Sequence, residues 1–156
     1  MSIKNNEAYD KAPYSDSLNS TEQSTKATEP VCEEDTVLYL SKVLEKFDNF
    51  ENTFPFERGG VPLRPLVNLL SGAEQASNTE ERCSMLHQLG DLSLFLNAMY
   101  AENYARQGIS PSYLIRLGEE AYVYLAKNAK ANRHIFRDLS RHFVHASSML
   151  KYARIG

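Results

Sequence analysis

Apolar residues recur every three or four positions along most of the chain, and this spacing is the period of an α-helix. The first such run follows an acidic cluster at residues 33–35, which suits the positive end of a helix dipole, and it predicts a helix that ends near Phe50. A proline and a glycine pair within residues 55–60 predict a loop. A short helix is then predicted from about Pro62 to Gly72.

The densest apolar stretch has the sequence LGDLSLFLN, at residues 89–97, and lies inside a long helix predicted over residues 78–106. Apolar side chains occur all round this helix, which predicts a central helix contacted on several sides. Ser110 and Pro111 are typical of a helix start, and the last helix is predicted over about residues 132–153. No segment alternates apolar and polar residues for long enough to indicate a strand. The predicted class is therefore all-α, a single compact bundle of about five helices.

The beginning of the chain has a different composition. Residues 1–30 are rich in Ser, Thr, Asn, Glu and Lys and carry only scattered apolar groups. Burial of so few apolar groups cannot offset the entropy lost when such a segment becomes ordered. We therefore predict a flexible, disordered acidic tail over residues 1–33 and one helical domain over residues 34–156.

Several features bear on the compartment in which the protein works. The longest charge-free stretch of the apolar centre runs from Leu92 to Ala101, well short of the roughly 20 residues that a membrane-spanning helix needs. The N-terminus lacks the basic-then-apolar pattern of a signal peptide. Cys32 and Cys83 lie far apart and without metal-binding spacing, which is typical of reduced thiols. We expect a cytoplasmic protein with no membrane partner.

Charge is distributed unevenly along the chain, although the net charge is only -3. Residues 1–34 carry 3 basic and 7 acidic groups, and residues 35–109 carry 6 basic and 10 acidic groups. Residues 110–156, in contrast, carry 8 basic and 3 acidic groups. This asymmetry indicates either an anionic partner for the C-terminal part or attraction between the two ends of one molecule.

Polar residues and glycines within the apolar central helix are candidate site residues. His87 and Asp91 are four residues apart, so an imidazole–carboxylate pair on one helix face is available for general-base chemistry. The interpretation that we favour is structural: Asp91 hydrogen-bonds a neighbouring helix end or a tyrosine hydroxyl and fixes the packing. Gly90 is expected to mark a close helix crossing, with Gly118 as its partner on the next helix.

Three of the four histidines fall on the last helix. His134, Asp138, His142 and His145 follow spacings of four, four and three, which would place them on one stripe of a continuous helix. Imidazole and carboxylate groups at such spacing could bind a transition metal, so these four residues are metal candidates. A single helix seldom completes a coordination shell, and we expect a boundary stripe at the edge of the core, with no metal and no cofactor.

The same helix carries a basic ridge, because Arg133, Arg137 and Arg141 repeat every four residues. With His142 and His145 at its edge, this ridge is our predicted partner-binding surface. An acidic protein surface or segment is the expected partner. Nucleic acid is the alternative, because the two helices joined by the sequence NAKAN resemble a helix-turn-helix.

Two segments carry a resemblance to known sequences. LGDLSLF at residues 89–95, followed by SYLIRLGEEAYVYLA at residues 112–126, resembles a family of uncharacterised bacterial all-helical proteins. The shared pattern is LGD-x-SLF followed by Y-x4-G-x2-AY, and the similarity extends over roughly residues 36–152. The resemblance implies a bacterial cytoplasmic helical domain and brings no known activity, cofactor or catalytic residue.

Taken together, these patterns predict a non-enzymatic protein-interaction domain that serves as a regulator, adaptor or accessory subunit. Two alternatives stay open. One is a small-molecule or metal-binding protein, or a small enzyme, that uses Asp91 and the histidine stripe. The other is a nucleic-acid-binding regulator that uses the basic ridge. Self-association into a homo-oligomer is compatible with each of them.

Overall fold

The computed structural model describes residues 32–56 and 60–155, and within these residues every regular element is a helix. The predicted all-α class is confirmed. Most of the predicted tail, residues 1–31, lies outside the described residues. The helices in chain order are α1 (Glu34–Lys46), α2 (Phe50–Thr53), α3 (Arg64–Glu74), α4 (Thr79–Arg106), α5 (Pro111–Asn128), α6 (Arg133–Arg141) and α7 (Phe143–Ile155).

The central helix α4 has 28 residues and begins and ends where the sequence predicts. Its N-cap is Asn78, whose side-chain oxygen accepts a hydrogen bond from the Glu81 amide at 2.8 Å. The helix bends at Tyr100, where the backbone leaves helical geometry (φ −130°, ψ 21°). Gly108 follows the helix with a φ of 89°, a conformation that favours glycine.

Helix α4 is contacted on several sides, by α1, α3, α5 and α7. All eight residues from Leu89 to Leu96 are buried. They include Gly90, Asp91 and Ser93, the three that have no apolar side chain. A helix buried all round has no polar face, which is why the sequence shows apolar residues at every angle in this stretch. No helix in the described part of the chain is long and apolar enough to cross a membrane.

The described residues 32–56 and 60–155 form seven helices, where the sequence predicts about five. The first helix ends at Lys46 instead of near Phe50, and α2 is a separate single turn. The predicted last helix is broken at His142, whose backbone is non-helical (φ −126°, ψ 39°). Helix α7 begins at the next residue, Phe143, which is almost fully buried against Gly118 of α5. The spacing of residues along the chain does not reveal this break, because the contact that favours it joins Phe143 to a distant part of the chain.

The described part of the chain begins in contact with the helices. Cys32 is buried, and the backbone amide of Glu33 donates a hydrogen bond to Oδ2 of Asp138 on α6 at 2.8 Å. The sequence places Cys32 and Glu33 in the predicted tail, residues 1–33. Because Glu33 is the N-cap residue of α1, this bond ties the start of α1 to the middle of α6.

Replacing the cap residue Asn78 with alanine should lower the free energy of unfolding by about 1 kcal/mol, the usual effect of losing a side-chain cap. Urea unfolding followed by circular dichroism measures the change. Asn49→Ala is the matched control, because Asn49 is the N-cap residue of α2 but its side chain makes no capping bond. Equal losses in the two variants would contradict the role assigned to Asn78.

Candidate functional site

Asp91 lies at the centre of a polar cluster within the helical core and is only 2% exposed. Its Oδ1 accepts hydrogen bonds from the hydroxyl groups of Tyr39 (2.6 Å) and Tyr122 (2.8 Å). Its Oδ2 lies 3.0 Å from Nζ of Lys46 and 3.4 Å from Nε2 of His87. The cluster therefore joins α1, α4 and α5 through one carboxylate. We call these five residues the Asp91 cluster.

The hydrogen bonds of the cluster determine the tautomer of neutral His87. Tyr39 has one hydroxyl proton, and it donates that proton to Asp91. Nε2 of His87 lies 2.7 Å from the same hydroxyl oxygen, so Nε2 must carry the hydrogen that the oxygen accepts. In the neutral ring, Nδ1 is then the unprotonated nitrogen.

The charge of Asp91 is balanced within the cluster. Lys46 supplies a compensating cation, and its side chain is 44% exposed, so the ammonium keeps contact with water. Burial, and next the negative charge of Asp91, raise the pKa values of Tyr39 and Tyr122 well above that of free tyrosine. Both hydroxyl groups therefore stay protonated and donate to Asp91 throughout the physiological pH range.

These contacts bear on the two interpretations of Asp91, as a general base paired with His87 or as a residue that fixes the packing. Tyrosine hydroxyls are the partners that the packing interpretation expects. Two hydroxyl donors and one ammonium donor already occupy the carboxylate, and almost none of it reaches the surface. The buried Asp91 carboxylate therefore has only an indirect chemical role. It holds His87 in one orientation at the edge of the core, and the His87 side chain is 42% exposed.

Tyr39 and Lys46 are members of the cluster that the sequence analysis misses. They are seven residues apart, which places them on one face of α1. The one signal for Tyr39 in the sequence is its position next to Leu40, a buried residue of the apolar stripe of α1. The sequence could not show that this face of α1 meets Asp91, because that contact spans about 50 residues of chain.

The atoms nearest to Gly90 and Gly118 belong to aromatic rings, and the predicted crossing of the two glycines stays a prediction. A methyl group at Gly90 would lie 2.8 Å from Cε1 of Tyr122, and one at Gly118 would overlap the ring of Phe143. Each glycine thus makes room for an aromatic ring. The space at Gly90 lets Tyr122 pass close to α4 and reach Asp91, so the glycine and the carboxylate belong to the same feature.

The four metal candidates do not form one stripe, because the break at His142 separates α6 from α7. His134 lies 2.9 Å from Asp35 at the surface, whereas Asp138 is buried and accepts the Glu33 amide. His142 is 3.8 Å from Asp138, and burial lowers its pKa. His145 is on the following helix. Among the described residues, no three His, Cys, Asp or Glu side chains are placed to hold one metal ion.

Both cysteines are free thiols, and burial keeps them protonated. It raises the pKa of Cys32 to about 11, with the negative charge of Asp138 as a second cause. Burial also raises the pKa of Cys83, although the positive charge of Arg133 partly opposes the shift. A nucleophilic cysteine needs a lowered pKa, and neither thiol has one.

The basic ridge lies on the outside of α6. Arg133, Arg137 and Arg141 are all exposed, and the opposite side of the helix is anchored in the core by Ile135, Phe136 and Leu139. Among the described residues, none of the three guanidinium groups forms a salt bridge with a carboxylate. His142 and His145 lie beside the ridge and are partly buried. We call these five residues the basic face.

No protein-family model, curated protein or solved structure matches this chain. The resemblance to uncharacterised bacterial proteins therefore stays a prediction. The function has to be inferred from the residues and contacts described above.

Proposed function

We propose that this chain is a non-enzymatic protein-interaction domain, which binds an acidic surface or segment of another protein through the basic face. The observation that supports the proposal is the row of three exposed arginines along α6, without carboxylate partners among the described residues. Such a row offers planar guanidinium groups that bind carboxylates in a bidentate geometry.

The helix that carries the row is held firmly. Helix α6 packs on α5 and α1, and the Asp138 side chain bonds the start of α1 from the inner side. Arg133 donates from Nε to the carbonyl oxygen of Ala129 at 2.6 Å, which restrains its side chain. A rigid helix with a partly restrained side chain loses less entropy when a partner binds.

The charge of the molecule favours an acidic protein over nucleic acid. The chain has a net charge of -3 and a calculated isoelectric point of about 5.8, whereas nucleic-acid-binding domains are usually strongly basic. Within residues 133–156 the charges are five basic and one acidic, and the acidic one, Asp138, is buried. The positive charge is thus local, as a docking patch for one acidic segment requires. The free thiols fit the cytoplasmic location that we also propose.

Reversing two charges of the basic face tests the proposal. The variant Arg137→Glu/Arg141→Glu should weaken binding of a fluorescein-labelled 20-residue polyglutamate peptide by more than about tenfold, because like charges would then face each other. Fluorescence anisotropy at low and at physiological salt measures the affinity. Both residues are exposed, so the variant should keep the stability of the parent protein.

The matched control is Arg64→Glu/Arg106→Glu, which makes the same change in net charge at two exposed positions outside α6. This control should weaken binding far less than the test variant. Equal weakening would show that only the overall charge matters and would overturn the basic face as a site. A 20-nucleotide single-stranded DNA is measured in parallel, and tenfold tighter binding of the DNA would replace the protein partner with nucleic acid.

A further inference from the structure

A groove of about 740 Å³ lies between the first turns of α4 and the turn that joins α5 to α6. Its volume is within the range of small-molecule sites, about 300–1,000 Å³. Most of the exposed lining is apolar, with a few polar groups among the apolar ones. Its lining includes Cys83, Ser84, His87, Leu125, Asn128 and Phe136.

His87 is the point at which the groove meets the Asp91 cluster, and the structure holds its ring in place. The ring stacks on Tyr39 (centroids 6.1 Å apart) and meets Phe136 edge-on at 5.3 Å. Nε2 is occupied by the Tyr39 hydroxyl and lies near Asp91. Nδ1 makes no hydrogen bond within the part of the chain that the structure describes. The ring is therefore fixed in one orientation, and His87 itself lines the groove.

The packing role of the cluster does not account for His87. Asp91 already accepts hydrogen bonds from Tyr39, Tyr122 and Lys46, so its burial is compensated without an imidazole. The ring contacts of His87 with Tyr39 and Phe136 do not require an imidazole nitrogen. What the imidazole adds is a hydrogen-bond acceptor whose tautomer is set by the buried carboxylate, as in many sites where a carboxylate orients a histidine.

We infer that this groove binds a small, mainly apolar, uncharged molecule with one hydrogen-bond donor, of which a phenol is the simplest, and that Nδ1 of His87 accepts its hydrogen. Phe136 and Leu125 line the groove with only 2% and 1% of their surfaces exposed, and Cys83, Ala129 and Ala131 add to its apolar lining. The charged side chains of the lining, Glu80 and Lys130, are of opposite sign, which favours an uncharged ligand over an ion. The inference is independent of the basic face.

Nuclear magnetic resonance with ¹⁵N-labelled protein tests the inference in two steps. A long-range ¹H–¹⁵N spectrum of the histidine rings should show neutral His87 with hydrogen on Nε2 and none on Nδ1. Titration with 4-ethylphenol should then shift the resonances of groove residues and of His87. A hydrogen on Nδ1 in the neutral ring, or no shifts in the groove, would overturn the inference.

The matched ligand is 4-ethylanisole, which keeps the ring and the oxygen but has no donor. It should bind at least about tenfold more weakly than 4-ethylphenol, the ratio expected for the loss of one hydrogen bond. Equal affinities would mean that the groove binds apolar molecules without using His87, and the proposed anchor would be wrong.

Variants of the protein separate the anchor from the groove. His87→Phe keeps an aromatic ring beside Tyr39 and Phe136 but should remove the preference for the phenol. Ser84→Trp should block the groove without touching the cluster, and its control is Gln88→Trp, an exposed residue of α4 outside the groove lining. Binding of 4-ethylphenol that survives Ser84→Trp unchanged would contradict the location of the site.

Discussion

Replacing Asp91 with alanine should lower the free energy of unfolding by about 3–5 kcal/mol, the range seen when one partner of a buried charged network is removed. The change leaves the hydroxyl of Tyr122 without a partner in a fully buried position, which alone costs about 1–3 kcal/mol. It also removes the acceptor of Tyr39 and the counter-charge of Lys46, although the exposed ammonium of Lys46 can return to water. Chemical unfolding at constant salt measures the loss.

One further variant separates the charge of Asp91 from its shape, and a second is a control at an exposed position. Asp91→Asn keeps the shape of the side chain and one acceptor oxygen, so it should lower the free energy of unfolding by less, about 2 kcal/mol. This smaller loss remains because hydrogen bonds to a charged acceptor are stronger than those to a neutral one. Asp48→Ala makes the same residue change at an exposed position and should alter stability by less than about 0.5 kcal/mol. If Asp91→Ala were as harmless as Asp48→Ala, the cluster would not hold the three helices together.

Replacing Gly118 with alanine should lower the free energy of unfolding by about 2–3 kcal/mol, despite the gain in helix propensity. The added methyl group would overlap the ring of Phe143, which is only 1% exposed. A shift of that ring would also press on Tyr122, whose ring centroid is 6.1 Å away. Thermal and urea unfolding measure the effect.

Gly72→Ala is the matched control for Gly118, because Gly72 is also within a helix. The nearest atom to its added methyl group would be the sulfur of Met85 at 3.0 Å, and a methionine side chain moves easily. Gly72→Ala should therefore be neutral or stabilising by up to about 1 kcal/mol. Equal destabilisation by both variants would mean that glycine is needed for the backbone and not for the fit of Phe143.

The stability variants and the binding variants should behave independently. Asp91 and Gly118 are buried, whereas Arg137 and Arg141 are exposed. A folded Arg137→Glu/Arg141→Glu variant that loses peptide binding therefore reports on recognition alone. His87 connects the buried cluster with the surface, because it contacts Asp91 and also lines the groove.

Much of the helical architecture follows from local sequence patterns. The all-round apolar character of residues 89–96 predicts a central helix, and the helix start at Ser110-Pro111 is found as expected. These features depend on residues within one or two turns of each other. The break at His142 is different, because nothing in its neighbours prevents a helix, and the burial of Phe143 beside Gly118 favours it.

The candidate sites divide in the same way. The spacing of the arginines on α6 and the four-residue step from His87 to Asp91 are properties of a helix, and the sequence by itself determines them. Only the tertiary structure decides that Tyr39 and Lys46 meet Asp91, that Tyr122 fills the space at Gly90, and that a groove lies beside His87. The physical reason is range: hydrophobic periodicity and caps act between neighbours in the chain, whereas a buried carboxylate takes its partners from whichever helices the packing of the core brings to it.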